Sequence, residues 1–131
     1  MTDSIVKKVI TTELAPKAIG PYSAGIDAGE FVFSSGQLGL DPISGDLVAG
    51  GVEAETQQAL TNLKNVLEAG GSGLERVVKT TVFLRDIADF AKMNAVYATF
   101  FTSEPPARSA FQVGALPKGA AVEIEAVALK K

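Results

Sequence analysis

The chain has 131 residues, 47% of them hydrophobic, with 12 basic and 15 acidic side chains and a formal net charge of −3. That length is one ordinary domain with room for a real core, and the acidic balance argues against a broad phosphate-binding face and so against nucleic acid as a partner. Cysteine and histidine are absent, which excludes disulfides, thiol nucleophiles, Ser-His triads and every His-containing metal site. Catalysis would have to rest on Arg, Glu, Asp, Tyr, Ser, Lys, backbone groups and water, and no tight Asp/Glu spacing marks a carboxylate metal site. The apolar fraction is high for a small monomer, which points to a second buried surface and hence a homo-oligomer. With no run of about 18 apolar residues, no membrane span is expected. Met1 to Lys8 carries no secretory pattern, so a cytoplasmic location is the default expectation.

Taken in order, Ile5 to Ile10 mixes β-branched residues with two lysines and reads as a first strand. Ala15 to Ser23 is a loop punctuated by Pro and Gly, in which Tyr22 reads as a packed ring with a bonded hydroxyl. Gly25 to Ala28 and Phe31 to Ser34 are strands around an Ala28-Gly29-Glu30 hairpin turn. Gly36 permits close backbone approach, and Leu40 to Asp46 has strong turn chemistry. A helix is expected over Val52 to Ala69, with Leu60, Leu63, Val66 and Leu67 on one stripe and Gln57, Asn62, Lys64 and Glu68 largely off it. Glu53 and Glu55 suit its positive end, and Gly70-Gly71 stop it.

Arg76 to Arg85 is a β-branched strand. Asp86 then caps a second helix running to about Phe101, with Phe90, Met93, Tyr97 and Phe101 on one face. Asn94 falls on that face too, where its amide either satisfies a nearby backbone group or looks into a cavity. Ala107 to Val113 and Ala121 to Leu129 are the last strands. Val122, Ile124, Ala126 and Ala128 share one face of the latter; Glu123, Glu125, Val127 and Leu129 share the other, a mixture that suits a cleft or a subunit interface. Two amphipathic helices cover only one face of such a sheet, and self-association would cover the other.

Pro105-Pro106-Ala107-Arg108 sets a single arginine at the start of a strand, where its fork of donors suits a carboxylate. Glu123 sits on what reads as the next strand. The two either form a structural ion pair or share a pocket, the cation for an acid substrate and the carboxylate for water and protons.

In order along the chain, Gly20-Pro21-Tyr22-Ser23, Ser35-Gly36-Gln37, Val77 to Phe83, Asp89-Phe90 with Asn94 and Tyr97, Pro106-Ala107-Arg108 and Val122 to Ala126 resemble the RidA (YjgF-like) family of imine/enamine deaminases, from about Ile5 to Leu129. The resemblance implies an α+β, chorismate-mutase-like fold, a mixed sheet with two helices on one face, and a homotrimer forming a central barrel with three clefts between subunits. It implies hydrolysis, without a cofactor or metal, of 2-aminoacrylate, 2-iminopropanoate and 2-iminobutanoate to 2-oxo acids and ammonia, which protects pyridoxal-phosphate enzymes.

By position, the resemblance implies that Arg108 binds the substrate carboxylate and that Glu123 holds or polarises water. It implies that Tyr22 lines the pocket, Ser35 and the Gly36 backbone contact substrate, Asn94 forms a wall, and the backbone at Ala110 adds a donor. Lys79 and Glu125 read as structural charges. Ala24 stands where many relatives have glutamine, and Ala110 where some bacterial members have cysteine, which bears on pocket polarity and substrate range. The rival readings are a non-catalytic binder of small 2-oxo acids, an RNA-cleaving or translation-inhibiting protein, and a holdase-like chaperone.

Overall fold

The structure, a computed structural model, describes residues 6–131. Among these, strands β1 (Lys8–Ile10), β2 (Gly25–Asp27), β3 (Phe31–Ser34), β4 (Gln37–Leu38), β5 (Val77–Leu84), β6 (Ala107–Gln112) and β7 (Val122–Leu129) form one sheet, accompanied by helices α1 (Gly51–Ala69) and α2 (Phe90–Phe100). The strand order is β1-β2-β3-β7-β5-β6, with β4 also paired to β7. β5 and β6 run parallel, joined by α2 as the crossover, and the other pairings are antiparallel. The expected mixed sheet is therefore present. Its first strand begins only at Lys8, and Ile5 lies outside the described residues.

The core forms where the α1 stripe meets the inward face of β7. Leu60, Leu63, Val66 and Leu67 are fully buried, as are Val122, Ile124 and Ala128 opposite them. Met93, Tyr97 and Phe101 extend that core from α2, so both helices lie on one face. Leu63→Ala should lower unfolding free energy by about 2–5 kcal/mol, because the site is closed on all sides and cannot collapse around the void. A urea titration read by circular dichroism measures this, and a loss under about 1 kcal/mol would mean the core is looser than described.

Three details differ from the sequence reading. Asn62 is not off the buried side of α1: it is fully buried, and its amide donates to the carbonyls of Leu38 at 3.1 Å and Leu40 at 2.9 Å. Glu55 does not serve the helix N-terminus in solvent. It is buried and accepts the Ala121 backbone N–H at 2.8 Å. Asp86 caps a short 3-10 turn, Ile87–Asp89, accepting from the Ala88 N–H, and α2 starts after that turn.

The face of the sheet away from the helices is open in the single chain. Phe33 and Phe111 are 44% and 45% exposed there, and Phe83 meets Phe111 edge to face at 5.5 Å between centroids. Glu123, Glu125, Val127 and Leu129 lie half-buried on the same side of β7, the mixed face that their alternation indicates.

Candidate active site

Glu123 owes its setting to a slip in the sheet. β3 and β4 pair in turn with one edge of β7, Phe33 opposite Val127 and Gln37 opposite Ile124, so the register shifts by one residue across Ser35 and Gly36. Such a bulge re-aims the chain beside a site. The Ala126 N–H there bonds the Ser34 hydroxyl at 2.9 Å. Gly36 lies directly on the Glu123 side chain: a Cβ at this position would stand 2.7 Å from the carboxyl carbon. The expected close approach is real, and its partner is the Glu123 carboxyl.

Ser35 ties the neighbouring loop to the sheet. Its hydroxyl donates to the Ser23 carbonyl at 2.5 Å and its N–H to the Ala24 carbonyl at 2.9 Å. Tyr22 is thereby carried to the rim, its ring half-exposed rather than packed away, with the hydroxyl at 3.5 Å from the Ile19 N–H. Tyr22, Ser35, Gly36, Glu123 and Glu125 line one cavity of about 560 Å³. Glu125, read as a structural charge, is thus part of this cavity. The signal for it was its shared parity with Glu123 on β7.

Burial pushes the Glu123 carboxyl above the ordinary glutamate range, and the neighbouring Glu125 charge pushes it the same way. A carboxyl so placed holds a proton more readily than a free one, which suits proton exchange with water.

Arg108 stands elsewhere. On β6 it pairs across to Thr80, whose side chain is buried beneath the helices, whereas Glu123 pairs with Phe83 on the open face. β5 separates the two strands, and the side chains leave the sheet on opposite sides. They are not on adjacent strands, and within one chain they form neither an ion pair nor a shared pocket. β6 and β7 are consecutive in sequence, but β7 inserts between β3 and β5. Strand order is a tertiary choice that no local pattern records.

What surrounds Arg108 instead is aromatic. Its guanidinium carbon sits 4.8 Å from the Tyr97 ring centroid and 5.4 Å from that of Phe90, and Nη1 donates to Asn94 Oδ1 at 2.6 Å. Tyr97 is itself fixed by a 2.7 Å hydrogen bond with Thr80. Burial raises the Tyr97 phenol, while the Thr80 bond and the Arg108 charge oppose that rise, so the ring stays neutral beneath the cation. Asn94 thus satisfies a side chain and not the backbone group the sequence offered. Ala110, two residues along β6, is half-buried against the core on an edge strand. Among the described residues, ion pairs join Lys130 to Asp27 and Lys131 to Glu75, and Arg108 has no carboxylate partner.

The residues expected in the site therefore fall into two groups. Tyr22, Ser35, Gly36 and Glu123 gather in one cavity; Arg108, Asn94 and Ala110 gather at the α2–β6 edge. Among the described residues no helix is long and apolar enough to cross a membrane.

Comparison with known proteins gives the same picture of the whole chain. The 2-iminobutanoate/2-iminopropanoate deaminase of Mus musculus is 53% identical over 127 residues, covering 97% of this chain and 94% of that protein. The crystal structure of the YjgF gene product from E. coli superposes with a TM-score of 0.90 at 46% identity, covering 95% of this chain and 99% of that one. That of E. coli TdcF with bound serine superposes with a TM-score of 0.90 at 42% identity, covering 95% and 99%. The model of the family described as endoribonuclease L-PSP matches residues 12–130. With nearly every residue matched and the fold shared, the chain belongs to that family, the one that holds the RidA and YjgF proteins.

Proposed function

We propose that this protein hydrolyses 2-imino acids, including the imine forms of 2-aminoacrylate and its four-carbon homologue, to 2-oxo acids and ammonia. The observation that carries the reading is Arg108: a guanidinium oriented by two rings and one amide, with its remaining donors uncommitted to any carboxylate among the described residues. A planar fork so held suits the carboxylate of a small acid. A relative more than half identical bears a deaminase name, and another has been crystallised with an amino acid bound.

The second half of the reading is that copies of the chain complete the site. The aromatic residues on the open sheet face call for a partner surface, and a second copy in a cyclic homotrimer supplies it. Arg108, Asn94 and the backbone at Ala110 of one protomer then face the Glu123 cavity of its neighbour. Arg108 holds the carboxylate, with Asn94 at the wall; Tyr22, Ser35 and Gly36 enclose the carbon chain. Water bonded to Glu123 adds through its oxygen to the imine carbon and gives its proton to the Glu123 carboxylate. That proton passes to nitrogen to give the carbinolamine. Glu123 then carries the hydroxyl proton to the same nitrogen, the C–N bond breaks as the C=O bond forms, and ammonia and the 2-oxo acid leave. An imine is already electrophilic, so orientation and one proton-handling group suffice.

The direct test generates the imine with an amino-acid dehydratase or oxidase and follows 2-oxo acid and ammonia with and without this protein. Acceleration over the spontaneous rate is the expected result; tight retention of 2-oxo acid without acceleration would make the protein a binder. The pH dependence adds a second check. Glu123 acts as the carboxylate, so the rate is lost as pH falls through its raised pKa, and the acid limb lies above the ordinary glutamate range. Glu125→Gln removes the second cause of that rise, so the limb moves to lower pH. An unmoved limb in the pH–rate profile would separate Glu125 from the chemistry.

A further inference from the structure

The Asn62 amide is fully buried among Leu60, Leu63, Val66 and Leu67, on a helix that also buries the polar side chains of Glu55 and Thr56. Every part of it is engaged: Nδ2 donates to the Leu38 and Leu40 carbonyls, and Oδ1 accepts from Gln58 Nε2 at 2.8 Å. A buried polar group so completely matched fixes one arrangement of the backbone it bonds. That backbone is β4 and the residues just beyond it. β4 is two residues long, too short to hold its own place, and its Leu38 is the strand partner of Glu123. Gly39, between the two bonded carbonyls, comes so close to α1 that a Cβ there would stand 2.6 Å from the Glu55 Cα. Glu55, in turn, holds Ala121 by its N–H, two residues before Glu123.

We propose that Asn62 is a positioning residue for Glu123: by clamping the Leu38 and Leu40 carbonyls it holds β4, and with it the Ser35–Gly36 bulge, as the wall on which the Glu123 carboxyl rests. Its importance for turnover rests on the imine-hydrolase reading, but its effect on the Glu123 environment does not. When the clamp is released, β4 loosens, water reaches the carboxyl, and its titration midpoint falls toward the ordinary value. The other titratable groups lining that cavity are Glu125 on β7, Lys17 and Tyr22 in the preceding loop, and Asn62 hydrogen-bonds to none of them.

The test compares wild type with Asn62→Leu, which keeps the branched shape and removes the donors, and with Leu67→Ala, which weakens the same helix beyond the clamp. Gln58→Met, which frees only the Asn62 oxygen, replaces Asn62→Leu if that variant fails to fold. Carboxyl-carbon NMR reads the Glu123 midpoint without substrate; steady-state kinetics well below each melting temperature reads turnover. The expected result for Asn62→Leu is a lower Glu123 midpoint and kcat reduced about tenfold with KM within about threefold, and for Gln58→Met smaller changes of the same sign. Leu67→Ala keeps the wild-type midpoint and kcat. An unmoved midpoint, or a shift shared by Leu67→Ala, overturns the proposal. If wild type shows no imine hydrolysis while Asn62→Leu still shifts the midpoint, the clamp stands and the enzymatic reading fails.

Discussion

Arg108→Ala is expected to lower kcat/KM for 2-imino acids by about 10²- to 10³-fold, the cost of leaving a substrate carboxylate desolvated and unpaired. The change should leave the fold in place. Arg108 is half-buried on an edge strand, and what the chain loses internally is two ring contacts and the Asn94 bond. Such contacts are worth about 1–2 kcal/mol together, so the melting temperature drops by only a few degrees. Arg108→Lys keeps the charge but loses the fork and the stacking plane, and should fall between the two. Since the carboxylate is gripped in ground state and transition state alike, much of the loss should come in KM. Turnover at the wild-type rate by folded Arg108→Ala would remove the arginine from the site.

Glu123→Gln carries the second large effect, a fall of roughly 10²–10⁴-fold in kcat with KM little changed, the range expected when one proton-handling group is lost. Stability should move the other way, or not at all. The Glu123 pKa is raised because burial and Glu125 disfavour its charge, so at neutral pH the ionised carboxyl weighs against the folded state. A neutral amide of the same shape relieves that, which is the usual trade between activity and stability at a working site. A thermal melt together with single-turnover ammonia release measures both. A variant that loses stability and keeps kcat would place Glu123 among structural residues.

These expectations depend on which features were readable from the residues. Both helices were legible because Leu60, Leu63, Val66 and Leu67, then Met93, Tyr97 and Phe101, recur at helical spacing, and packing enforces that period. The alternation in β7 was equally plain, with its even positions buried and its odd ones half-exposed. β4 was not legible, because two residues carry no period; they form a strand through pairing with β7 and the bonds from Asn62. Asn62 and Glu55 were misplaced for a related reason. Pattern reading counts a polar side chain on a helix as solvent-facing, and only the backbone groups brought up by tertiary structure reveal that these two are satisfied inside.

The candidate site was half legible. Residue identity was enough to single out Arg108 and Glu123, but not to show that β5 stands between their strands. Arg108 and Glu123 lie on opposite faces of one sheet, so the proposed site needs neighbouring copies, which the proposal arranges head to tail around a closed ring.

Complementation between Arg108→Ala and Glu123→Gln chains tests this most directly. The two variants, each nearly inactive alone, are unfolded together in equal amounts, refolded, and assayed for ammonia release from freshly generated 2-aminoacrylate. If each site takes its arginine from one protomer and its glutamate from the next, random mixing restores about a quarter of wild-type activity, since about one site in four then receives both intact groups. Activity no greater than the average of the two parents, in mixed oligomers verified by mass spectrometry, would contradict a site shared between copies.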